Sequence, residues 1–301
     1  LPTLSSEAGV DSGTGGVVMD AGGDRDAALD VPPDVPEDAP FDVVFDGLAP
    51  CDPEDLFVYL VTAENDFLRY DPGANSFFTV GKLSCTTVGS PFSMGVSREG
   101  LAFVVYTQPN VFDPDPPGKL FAVKLSDASC QATGYEPGQQ GFKLFGMGFA
   151  IDDDLMGETL YVAATGQNGG PSLGLGSIDL NTMLLSVVGP FSENPGNRVE
   201  LTSSDDGQLY GYFLDPQGNG GSVVRIDKTT AEILDSTHIN AGTNNSAFAF
   251  AFWSDDFYIF TGPIGGPTTI TRYRPADGSV QVVGSLAKTV VGAGVSTCET
   301  R

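Results

Sequence analysis

Beyond residue 56 the hydrophobic residues fall in short runs, not in the long stripes of amphipathic helices. Leu101-Ala-Phe-Val-Val-Tyr106, Leu160-Tyr-Val-Ala-Ala164, Leu209-Tyr-Gly-Tyr-Phe213 and Phe257-Tyr-Ile-Phe260 are aromatic or β-branched, and Gly, Pro, Asp and Asn clusters bound each of them. Such runs predict strands, and no long segment has helical periodicity. Asp206-Gly207 and Glu99-Gly100 fit tight turns between consecutive strands. The chain is therefore expected to be all-β.

The strands recur as a phrase. A small-residue strand is followed by a Ser/Asp turn, an aromatic strand, and a third strand ending in a tag. The tags are Tyr70-Asp71, Lys124-Leu125, Ile178-Asp179, Ile226-Asp227 and Tyr273-Arg274, which stand 54, 54, 48 and 47 residues apart. Periods of this size signal a solenoid or a propeller. The first strands read Phe92–Ser97, Phe145–Ala150, Val199–Ser203, Phe248–Phe252 and Val290–Ser296. The last has no second strand after it, while Leu56–Val61 is a second strand with no first strand before it. Joining the two completes a fifth blade and covers the edge strands, whereas a solenoid would need polar caps. The expected fold is an all-β, five-bladed β-propeller over residues 51–301, closed by pairing of N- and C-terminal strands and preceded by an extended non-globular arm over residues 1–50.

The four cysteines bear on that closure. Cys51 precedes the first second-strand and Cys298 follows the last inner strand, so a Cys51–Cys298 disulfide would staple the ring shut. Cys85 and Cys130 lie in corresponding regions of blades one and two and form the second expected pair; four cysteines allow three connectivities. No CxxC occurs and His238 is the single histidine, so zinc is not expected.

The arm has a different composition. It carries eleven acidic residues against Arg25 alone, with prolines at 2, 32, 33, 36, 40 and 50. Val31–Pro40 reads as a polyproline-like spacer. Such a segment buries too little apolar surface to order itself, and extended it would reach about 165 Å. Its apolar stretches, Val17, Val18 and Met19, then Phe41, Val43, Val44 and Phe45, are the candidates for adding as strands to a neighbouring copy or a partner protein. The arm resembles the Asp/Pro-rich spacers behind the lipidation site of bacterial surface lipoproteins, which implies a lipid anchor upstream.

The net charge of −25 opposes binding to nucleic acid or to an anionic membrane surface. No signal peptide or membrane-spanning run occurs in these residues. Low lysine, acidity and paired cysteines suit an exported protein, extracellular or at the cell surface.

Candidate chemistry is sparse. Glycosidic propellers direct an acid and a second carboxylate at the scissile bond. Here the inner strands offer Ser, Gly, Met, Ala and Phe, with Glu200 as their one acid. Glu200 is therefore expected to be a hydrogen-bonded channel residue or a binding group, and no catalytic residue is assigned. Asp152, Asp154 and Glu158 are candidate calcium oxygens, although this stretch aligns with the hairpin turns of the other blades, and no other cofactor is expected. The loops Thr107–Gly118 and Gly166–Gly174 occupy equivalent places in blades two and three and should project from one side of the ring.

The phrases Asp206-Gly-Gln-Leu-Tyr210 and Ile178-Asp-Leu-Asn-Thr182 resemble those of secreted bacterial β-propeller repeat proteins. The expected function is a non-catalytic structural or protein-interaction subunit of a surface assembly, its partner another protein or copies of itself. A glycan- or ligand-binding propeller is the alternative, and a glycoside hydrolase follows it.

Overall fold

A computed structural model describes residues 56–298, apart from 111, 114–115, 167–169, 194–195, 218 and 244. Cys51 and the arm, with the stretches at 17–19 and 41–45, lie outside the described residues. Among the described residues, twenty strands form five antiparallel four-stranded sheets. Blade one contains β1 (Val58–Thr62), β2 (Asp66–Asp71), β3 (Ser76–Lys82) and β20 (Val290–Gly294). Blade two contains β4 (Pro91–Val96), β5 (Leu101–Tyr106), β6 (Lys119–Lys124) and β7 (Cys130–Ala132). Blade three contains β8 (Phe145–Ile151), β9 (Glu158–Ala164), β10 (Gly174–Asp179) and β11 (Leu184–Gly189). Blade four contains β12 (Val199–Ser203), β13 (Leu209–Leu214), β14 (Gly221–Ile226) and β15 (Ile233–Ile239). Blade five contains β16 (Ala247–Trp253), β17 (Asp256–Gly262), β18 (Thr268–Arg274) and β19 (Ser279–Leu286).

Closure follows the expected register. β20 is the inner strand of blade one and pairs with β1 through Tyr59↔Gly294, Leu60↔Ala293 and Val61↔Gly292. The inner strands β20, β4, β8, β12 and β16 each meet the next around the ring, and β16 meets β20. Trp253, at the end of β16, braces the seam, its indole N–H donating to the Leu56 carbonyl at 2.8 Å.

Both faces of each blade are covered, which explains why the strands read as continuous apolar runs instead of alternating ones. Five hydrophobic clusters form, one between each consecutive pair of blades. The cluster between blades four and five stacks Phe250 on Phe257, with ring centroids 5.2 Å apart. Burying one such side chain contributes about 2–3 kcal/mol. The outer strands are more exposed; β15 is exposed over most of its length and carries His238.

The repeated tags have a local cause. Each falls at the end of the third strand from the axis. In blades three and four its aspartate caps the following turn: Asp179 accepts from the N–H groups of Asn181 and Thr182, and Asp227 from those of Thr229 and Thr230. In blade five Arg274 takes the aspartate's place and pairs with buried Asp256 at 2.7 Å.

Candidate functional site

Antiparallel blades sort the connections. Turns joining first to second and third to fourth strands lie on one face of the ring, here the turn face. The remaining loops and the blade crossovers lie on the other, the loop face. The long connections at 107–118 and 166–174 both belong to the loop face, where a scaffold of rigid strands carries variable loops. Four loop-face connections present exposed apolar residues: Val88, Phe112, Leu173 and Ile264.

The axis itself is packed. Gly148 on β8 faces β12 so closely that a Cβ there would lie 2.6 Å from the Leu201 carbonyl oxygen. Small inner-strand residues thus let neighbouring backbones approach, and nearly every inner-strand residue is buried.

Glu200 sits in this packed region, 3% exposed. Ser93 on β4 donates to its Oε2 at 2.6 Å. Strands β4 and β12 are not ring neighbours, so this bond crosses the axis and closes the channel there. The Ser93 Oγ also accepts the Met147 N–H from β8 at 3.1 Å. Burial pushes the Glu200 carboxyl well above the usual carboxylate range, against the opposing pull of the Ser93 bond and of the Arg198 charge.

Arg198 precedes β12 on the loop face. Its Nη1 donates to the Ser246 carbonyl at 2.9 Å. The guanidinium carbon lies 4.9 Å from the ring centroid of Phe248 and 5.9 Å from that of Phe92. Phe248 belongs to adjacent blade five and Phe92 to blade two, across the ring. The guanidinium therefore stands over the axis, above Glu200. Burial lowers its pKa, and the Glu200 charge opposes that shift.

The C-terminal segment closes the turn-face end. Ser296, Thr297 and Cys298 are buried, and residues 295–298 border Ser203, Ser204, Asp205 and Phe252. Thr297 Oγ1 donates to Glu158 Oε2 at 2.6 Å, joining the tail of blade one to blade three. The Arg98 backbone N–H donates to Glu158 Oε1 at 2.8 Å, and the Arg98 side chain reaches the Thr297 carbonyl. Burial raises the Glu158 pKa to about 8; the bonds from Thr297 and Arg98 pull it down, and the neighbouring Glu99 carboxylate pushes it up.

This grouping was not legible in the sequence. Glu158 opens a second strand, Glu99 and Arg98 stand in a turn of another blade, and Thr297 is 139 residues from Glu158. The calcium candidates Asp152, Asp154 and Glu158 take separate partners in the fold. Asp152 accepts from Thr159 Oγ1, Asp154 from the Met156 N–H, and Glu158 from Thr297 and Arg98. The three side chains turn to different partners, and among the described residues no three His, Cys, Asp or Glu side chains converge on a metal position.

Polar clefts recur beside the tags. One of about 280 Å³ in blade three is lined by Glu158, Thr159, Ser177, Asp179, Asn181 and Ser186. A cleft of about 200 Å³ in blade four is lined at matching positions by Gln208, Asp227, Lys228 and Thr229. Their aspartates are the turn caps described above.

Cys85 and Cys130 are bonded, with Cα atoms 5.1 Å apart, and staple blade one to blade two. No described cysteine is a free thiol. Cys51, the expected partner of Cys298, lies outside the described residues. Among those residues no helix is long and apolar enough to cross a membrane.

The fold and both channel ends place the chain among five-bladed all-β propellers. No protein-family model matches it, and no curated protein does so. Solved structures similar to it include a GH43_1 enzyme from Xanthomonas citri complexed with xylose, at 10% identity and a TM-score of 0.49 over 67% of this chain and 75% of that one. TolB from Acinetobacter baumannii is 14% identical, with a TM-score of 0.41 over 75% of this chain and 52% of that one. The PQQ-bound aldose sugar dehydrogenase from Streptomyces coelicolor is 10% identical, with a TM-score of 0.42 over 75% and 77% of the two chains. At such identities a shared fold does not carry a shared chemistry.

Proposed function

We propose that the protein is a non-catalytic, exported binding propeller, an interaction subunit of a surface or extracellular assembly that engages a partner protein or a further copy of itself through its loop face. The observation carrying this reading is the exposure of apolar side chains on separate loops of that face: Val88 is 86% exposed, Phe112 93% and Ile264 72%. Apolar tips on loops held by a rigid ring suit a partner surface that buries them. The Cys85–Cys130 disulfide suits an oxidising compartment. In this reading the acidic arm, residues 1–50, contacts a neighbouring subunit and an anchor lies upstream.

The non-catalytic part rests on Glu200. Glycoside hydrolysis needs two carboxyl groups across a bound sugar. Glu200 is sealed beneath the axis by Ser93, and the other inner strands bring no second acid. A second reading, binding of a small ligand at the axis, is favoured by Arg198 at the channel mouth.

The test is a photo-crosslinking side chain at Phe112 in the full chain, expressed in cells, with the same group at Leu155 on the turn face as control. A defined product, a partner or a second copy, is expected from position 112 and not from 155. Equal yields from both positions, or none from 112, would refute the loop-face reading.

A further inference from the structure

We infer that the loop-face mouth of the channel is a binding site for a small carboxylate-bearing ligand, with Arg198 as the residue that grips it. This deepens the second reading above and stands apart from the protein contact proposed for the loop tips.

Three observations converge on it. First, the guanidinium stands over the ring axis, where the loop-face ends of the inner strands meet, because it touches rings from blades two and five. Second, its hydrogen-bonding capacity is mostly unused. Nη1 donates to the Ser246 carbonyl, and among the described residues Nε and Nη2 meet no acceptor, yet neither is a buried, unpartnered atom. These donors are therefore not sealed from solvent. Third, among the described residues no carboxylate is in hydrogen-bonding contact with the guanidinium, and the Glu200 charge acts on it from a distance. Glu200, two residues on, spends its carboxyl on Ser93 instead.

The chemistry of the site selects the ligand class. A guanidinium edge presenting Nε and Nη2 matches the two oxygens of a carboxylate in a bidentate fork. Half-buried Phe92 offers an apolar wall beside it. A ligand with one carboxylate and a flat apolar body fits both features. The −25 net charge of the chain repels polyanions, which disfavours nucleic acid and polyphosphate at the same mouth. Ser93 and Glu200 close the channel below the guanidinium.

Sodium benzoate is a suitable probe, with benzyl alcohol and sodium phosphate as controls. The arginine Nε–H resonance of Arg198 is assigned by its loss in Arg198→Lys. Benzoate should shift it saturably with a dissociation constant of about a millimolar, while benzyl alcohol leaves it in place and phosphate acts more weakly. Phe92→Leu should weaken benzoate several-fold, and Arg198→Gln, read at the Phe248 amide, by tenfold or more. A melting temperature within a degree or so of wild type in Phe92→Leu keeps the result from being one of misfolding. Non-saturating shifts, equal shifts in Arg198→Gln, or phosphate matching benzoate would overturn the inference. Any of these leaves the crosslinking result at position 112 standing, so the two readings fail separately.

Discussion

Replacing Glu158 by Gln should flatten the dependence of stability on pH. Glu158 holds its proton up to a pKa of about 8 in the fold, against an ordinary 4.5. Between these values the folded chain binds more protons here than the unfolded chain does. Stability from this group is thus fully present below about pH 4.5 and is lost as pH rises through about 8. The displacement sets a ceiling of about 5 kcal/mol on that loss. The cost comes first from burying the carboxylate and then from the neighbouring Glu99 charge, while the bonds from Thr297 and Arg98 reduce it. Gln copies the protonated form: its oxygen accepts from Arg98, and its amide donates to Thr297 and Glu99. At pH 9 the variant should therefore melt about 5–10 °C above wild type, while at pH 5 the two should nearly coincide. Calorimetric scans from pH 5 to pH 9 measure this directly. The slope left in the variant belongs to other groups, Glu200 among them, whose carboxyl is raised in the same sense. Parallel curves for the two proteins across the whole range would refute the reasoning.

Three further outcomes are expected. Gly148→Ala should cost about 2–3 kcal/mol by thermal melting, because its Cβ would meet the Leu201 backbone 2.6 Å away; Gly134→Ala, whose Cβ meets only a side chain at 3.8 Å, should cost little. Peptide mapping without reduction should recover Cys51 joined to Cys298, a closure worth about 5 kcal/mol in the chain-entropy model, and finding Cys298 as a free thiol would sink the staple. Removing residues 1–46 should leave the melting temperature unchanged and reduce assembly size by sedimentation, whereas unchanged assembly would make the arm a passive spacer.

The repeat phrase, its spacing and the split fifth copy already specify an all-β ring closed by its own ends. These are local signals: aromatic runs make strands, Asp-capped turns end them, and an unpaired first strand needs an unpaired second one. Cys85–Cys130 was one of three possible connectivities, and the packing of blade one against blade two is what joins them. Glu200 was visible as the lone inner-strand acid, but not its bond to Ser93, because that bond crosses the axis between strands 107 residues apart. Nothing in the neighbourhood of Arg198 along the chain marks it as a site residue. Its place is set by Phe92 and Phe248, which only the closed ring brings together. Glu158 read as a turn acid beside Asp152 and Asp154, because local spacing groups it with them. Tertiary packing separates the three and gives Glu158 to the C-terminal tail. Periodicity fixes which residues form strands and in what order they close. What stands over the axis depends on side chains from non-adjacent blades, and no pattern along the chain encodes those distances.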